Sequence, residues 1–156
     1  MYTALLTALV LWIATTCDLP PDYDHPNISL VSAEELFHLR YGAFTQAQQH
    51  EILTLQTNSA ASPDRRETVA LYDDRSDTIF LPDGWKGDTP AELSILVHEL
   101  VHHLQNRAGT RYECPAAREE LAYAEQEKWL ALFGRSLLSE FQIDPFTLKV
   151  STTCGF

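Results

Sequence analysis

Between Thr89 and Gln105 the chain sets His98 and His102 four residues apart, with Glu99 directly after the first. In an α-helix, residues at i and i+4 project from one face, so the two imidazoles can address a single ion. Helical signals independent of these three residues frame the stretch. Thr89 can cap, Pro90 suits the first helical position, and Glu92 follows Thr89 at capping-box spacing. Leu93, Leu96, Val97, Leu100, Val101 and Leu104 then recur at helical spacing, and Gly109 offers a stop. The histidines border this apolar stripe, where an unpaired polar group costs about 1–3 kcal/mol. They need partners there. Tetrahedral zinc suits two imidazoles at this spacing, and two helix-surface histidines without an ion are the plainer alternative.

The rest of the composition narrows the setting. A chain of 156 residues with 45% hydrophobic content suits one globular domain with a modest core. Eleven basic side chains stand against 22 acidic ones, giving a net charge of −11 that opposes binding to nucleic acid or an anionic membrane. Thr3 to Thr16 is an apolar run ahead of Asp18-Leu-Pro-Pro21, so residues 1–17 read as a signal-like leader, although no Lys or Arg precedes the run. The run is shorter than the roughly 20 apolar residues of a spanning helix. Residues 18–27 read as a linker and 28–156 as the folded domain. Ala14-Thr-Thr-Cys17 faintly matches a lipoprotein box, with Thr16 a poor fit, so membrane attachment is expected only if Cys17 is lipidated. Discounting the leader leaves Cys114 and Cys154, an even pair that an oxidising compartment would join. The expected location is secreted or periplasmic.

Local patterns give an α+β, mostly helical fold. Ser32-Ala-Glu-Glu35 opens a helix from Ala33 to about Gln56, interrupted near Gly42, with His38 and His50 on it as surface groups. Residues 58–67 read as a loop. Thr68–Tyr72 and Thr78–Leu81 read as a β-hairpin around Asp73–Asp77, whose edge either accepts an extended peptide or simply covers the core. Pro115 begins a helix running to about Phe133, with Gly134 as its stop. On that helix Glu119, Ala122, Gln126, Trp129, Leu130 and Phe133 share the packed face while Glu120 points to solvent. Glu119 is therefore the expected third ligand. The tail packs as a short helix and an irregular end.

His98-Glu-Leu-Val-His102, followed by a glutamate on the next helix, resembles the gluzincin zinc metallopeptidases. Minimal members carry Glu-x-x-Ala-(Asp/Asn) on that second helix; Glu119-Glu-Leu-Ala-Tyr123 matches at Glu119 and Ala122 and departs at Tyr123. The resemblance covers residues 68–126 and implies a zincin-like core of hairpin, zinc helix and ligand helix. It further implies zinc held by His98, His102 and Glu119, and a peptide or protein substrate. The function expected is that of an exported zinc-dependent hydrolase in which Glu99 is general base to a water on the ion. His103 and Tyr123, each four residues after a site glutamate, are the candidate donors to the developing oxyanion. The metzincin pattern is excluded, because Gln105 and Ala108 stand where its glycine and third histidine belong. A zinc-stabilised binding or inhibitory protein without turnover is the alternative; retention of Glu99 favours the hydrolase, since a structural site needs no base.

Overall fold

The computed structural model describes residues 2–42, 46–48, 50 and 70–155. In chain order the named elements are α1 (Thr3–Thr16), β1 (Asn27–Val31), α2 (Ala33–Tyr41), β2 (Leu71–Asp73), β3 (Thr78–Pro82), α3 (Pro90–Ala108), α4 (Pro115–Ala131), α5 (Leu137–Phe141) and α6 (Pro145–Thr152). The fold is α+β and mostly helical.

Helix α3 forms where its local signals place it. The Thr89 side chain accepts the Glu92 N–H, Pro90 opens the first turn, and Gly109 ends the helix at φ 66°, a left-handed conformation that glycine adopts without a Cβ clash. The capping box is only half made. The Glu92 carboxylate accepts the Asp88 N–H at 3.1 Å, reaching further back than Thr89. Every residue from Ser94 to Gln105 is buried, so α3 is the central rod of the domain rather than a helix with one wet face.

The sheet, α1 and α4 pack around that rod. The β-strands form a mixed sheet in the order β1-β3-β2, with β1 parallel and β2 antiparallel to β3. The expected hairpin is present as β2 and β3, and the start of its first strand at Thr68 lies outside the described residues. Strand β1 is an addition to the sequence reading. Only Val31 is buried along it, so its place comes from backbone pairing with β3, Asn27 opposite Thr78 through Val31 opposite Pro82, and not from a strong apolar pattern. Helix α2 is capped by Ser32, which accepts the Glu35 N–H at 3.1 Å, and ends at Gly42. Residues 46–48 and 50 are again helical; the rest of the expected continuation to Gln56, and the 58–67 loop, lie outside the described residues.

Helix α1, within the segment read as a leader, places Leu6, Leu9, Val10 and Ile13 in the cluster that contains Leu96, Val97, Leu100 and Leu104 of α3. Its C-terminal end meets α4 through an edge-on Trp12–Trp129 contact at 5.2 Å and a 2.7 Å bond from Lys128 Nζ to the Thr16 carbonyl. The Thr16 hydroxyl also bonds the fully buried Glu125 carboxylate. No described helix is long and apolar enough to cross a membrane. The segment read as a linker is held as well, because Leu19 is buried and Arg107 pairs with Asp24 at 2.6 Å.

The tail folds as two short helices, α5 and α6, where one was expected. Cys114, the residue that precedes α4, is disulfide-bonded to Cys154 after α6, with Cα atoms 5.9 Å apart. The bridge spans a sequence separation of 40 and ties the start of α4 to the end of the chain. Replacing both cysteines with serine should lower unfolding stability by about 2–4 kcal/mol, chiefly by freeing the unfolded chain. Urea titration of both proteins checks this, and coincident curves would show that the bridge contributes nothing.

Candidate metal centre

Two helices build the site. Helix α3 presents His98 and His102 on one face, with ring centroids 5.0 Å apart, and α4 packs across that face to bring in Glu119. The His98 Nε2 lies 2.9 Å from Glu119 Oε2, and the His102 Nε2 lies 3.2 Å from Glu119 Oε1. One ligand atom from each of the three residues falls within 4.8 Å of the others, so this buried His-His-Glu group could hold a metal ion. Glu120, next on α4, is exposed, as its helical phase predicts.

Electrostatics in the group oppose what burial alone would do. Burial raises the Glu119 carboxyl, but hydrogen bonds and charge from His102 and His98 outweigh it and hold the group well below the usual carboxylate range. Burial likewise disfavours a charged His102, yet the bond to Glu119 and the nearby charges of Glu99 and Glu119 raise it above the ordinary imidazole value. Both imidazoles and the carboxylate are thus drawn to one point by mutual attraction.

The far side of each imidazole is held by a glutamine. His98 Nδ1 donates to Gln126 Oε1 at 2.9 Å, and the Gln126 amide donates in turn to Ser94 Oγ at 3.2 Å. His102 Nδ1 donates to Gln105 Oε1 at 2.9 Å, while Gln105 Nε2 donates to the Arg118 carbonyl at 3.1 Å. A carbonyl can only accept, which fixes the orientation of the Gln105 amide and leaves its Oε1 for the imidazole. With Nδ1 of each ring bonded to a glutamine oxygen, Nε2 is the nitrogen that faces Glu119, and it is the one that would give up its proton and turn its lone pair to a cation. The donor set therefore fits a cation. Sequence reasoning put Gln126 on the face of Glu119 but gave it no task, and gave none to Gln105; helical phase, seven residues after Glu119 and three after His102, is the signal that could have found them.

The remaining candidates separate. The Tyr123 ring stands edge-on to His98 at 4.6 Å, and burial, then repulsion from Glu119, raises its phenol above the ordinary range so that it stays a donor. It also forms one wall of a groove of about 660 Å³ between α4 and the C-terminal helices, lined by Leu137, Leu138, Ile143 and Leu148, with Glu120 and Lys149. His103 departs from its expected part. It is fully buried, its Nδ1 lies 2.8 Å from Asp77 Oδ1, and its ring packs edge-on to Tyr72, so it has no surface from which to reach a substrate. The phase shared with Glu99 is real, but that face of α3 meets the hairpin. Glu99 is buried, and its Oε2 accepts the Tyr72 N–H of β2 at 2.9 Å. That amide is consequently unavailable to an extended peptide adding to β2.

Metal affinity should track this arrangement. With zinc as the ion, Gln126→Ala and Gln105→Ala should each weaken binding about 10–100-fold, as removal of such supporting hydrogen bonds does elsewhere. Glu119→Ala should lose the ion and Glu120→Ala keep it. Competition against a chromophoric chelator measures all four, and a Glu120 variant that loses the ion while the Glu119 variant retains it would sink the assignment.

No curated protein and no solved structure gives a significant match to the chain. A family profile does match it, over residues 1–155, and the chain accordingly belongs to the family described as a domain of unknown function, DUF6647.

Proposed function

We propose that the chain is an exported zinc-dependent hydrolase, acting on peptides or proteins, with a gluzincin-type site on a zincin-like core. The observation that carries this reading is a pre-assembled donor set, two imidazole Nε2 atoms and one carboxylate within 4.8 Å, beside a second buried carboxylate that is not part of it. Two imidazoles and one carboxylate match the ligands of catalytic zinc sites, which keep a fourth position open. When bound, the ion would supply a Lewis acid that makes water nucleophilic near neutral pH and polarises a carbonyl.

The chain's own residues divide the remaining work. Gln126 and Gln105 keep the imidazoles oriented, and Glu119 brings a negative charge to the cation. Glu99 holds its Oε2 on the Tyr72 N–H, so Oε1 is the oxygen that takes a proton from attacking water and returns it to a leaving amine. Tyr123, protonated and against His98, is the candidate donor to the developing oxyanion, and the apolar groove it borders offers room for a substrate side chain. The disulfide supports an oxidising location, secreted or periplasmic. Membrane attachment would need lipid on Cys17. The net charge of −11 speaks against nucleic acid as a partner.

One observation favours the second reading, a zinc-stabilised protein without turnover: the bond from the Tyr72 N–H gives Glu99 a structural task as well. Glu99→Gln separates the two. It keeps an oxygen for Tyr72, so zinc content and thermal stability should be nearly unchanged, while hydrolysis of a peptide library falls at least about a hundredfold. A variant equal to wild type in every assay would select the binding protein. Loss of zinc in this variant would remove Glu99 from the role of base.

A further inference from the structure

The hairpin does more than cover α3. Tyr72 bridges two places on that helix: its backbone N–H bonds Glu99, and its hydroxyl, at the other end of the residue, accepts from Asn106 Nδ2 at 3.0 Å. The same hydroxyl donates to Asp77 Oδ1 at 2.9 Å, an oxygen that also receives His103 Nδ1 at 2.8 Å. The other Asp77 oxygen takes Arg107 at 3.3 Å. His103, Asn106 and Arg107 all belong to α3, one to two turns beyond Glu99. One carboxylate on the turn between β2 and β3 therefore gathers three groups and staples the hairpin to the helix that carries the glutamate.

The backbone at Asp77 sharpens the point. Its φ is 48°, in the left-handed region, and glycine would take that conformation with less strain. The aspartate costs the turn something, and what it adds is the carboxylate. With the staple in place the Tyr72 N–H is fixed relative to α3, and a glutamate bonded to a fixed amide has one orientation rather than several. Without it, the short β2 is free to shift and Glu99 can follow it or let go.

We propose that Asp77 is a positioning residue for Glu99, acting through Tyr72 to hold the Glu99 carboxylate in one orientation beside the His98–His102–Glu119 group. This rests on the reading of Glu99 as general base, but the geometry can be tested without turnover. Asp77→Gly removes the carboxylate and suits the turn, Asp77→Asn keeps one acceptor oxygen, and Tyr72→Phe cuts the same link from the other side.

The test uses the full chain loaded with zinc and reads hydrogen exchange at the Tyr72 amide by NMR. Glu99→Ala should speed that exchange and Glu99→Gln leave it slow. Asp77→Gly and Tyr72→Phe should speed it about tenfold, while amides from Leu100 to Leu104 keep their wild-type rates and Asp77→Asn stays near wild type. In the hydrolytic assay Asp77→Gly should lower kcat about tenfold, with KM and zinc affinity within about twofold, and Asp77→Asn should recover most of the loss. A Tyr72 amide as slow in both Asp77→Gly and Tyr72→Phe as in wild type would overturn the proposal, as would a kcat unchanged in both. If wild type cleaves no peptide, the hydrolase reading fails on its own, and the exchange rates still decide whether Asp77 orients Glu99.

Discussion

The contact on which this structure depends is that of two imidazoles with one carboxylate across the α3–α4 packing. Burying two imidazoles beside a half-buried carboxylate is unfavourable unless the groups satisfy one another, and here Glu119 reaches the Nε2 of both His98 and His102. The surroundings serve that contact. The sheet and α1 cover the apolar sides of α3, the two glutamines occupy the outer imidazole nitrogens, and the disulfide holds the start of α4 against the C-terminal end of the chain. A shift of α4 along α3 would break the carboxylate bridge, the His98–Gln126 bond and the Gln105–Arg118 bond together, because Glu119, Arg118 and Gln126 travel on one helix.

Glu99 and Glu119 show how environment divides two identical side chains. Glu119 sits between imidazoles, which stabilise its charge and leave it as one of three donor groups that could hold a cation. Glu99 points to the other side, toward a backbone amide and the hairpin, with its charge felt by His102 but not shared with it through a bond. The division follows from the angle of about 100° between neighbouring residues on a helix, which turns position 99 away from the face shared by 98 and 102.

Local chemistry carried the parts that were legible before the fold was known. The caps at Ser32 and Thr89, the stop at Gly109, the phase of Glu119 against Glu120, and the pairing of Cys114 with Cys154 all depend on residues close in sequence or on simple arithmetic. What escaped depends on pairing between distant segments. Strand β1 has one buried side chain and is held by β3, some 50 residues away in the chain, so its own sequence carries little signal. His103 has the phase of a site residue, and only the position of the hairpin reveals that its face is closed. The tasks of Gln105 and Gln126 likewise become visible only once α4 lies on α3.

The proposed chemistry requires one ion bound through His98, His102 and Glu119. X-ray absorption at the zinc edge, on purified full chain loaded with one equivalent of zinc, tests it most directly. The expected spectrum has about two imidazole nitrogens at 2.0–2.1 Å and the remaining ligands as oxygens at 2.0–2.2 Å, and Glu119→Ala no longer holds the ion in this environment. A zinc–sulfur distance near 2.3 Å, or a spectrum that the Glu119 substitution leaves unchanged, would contradict it.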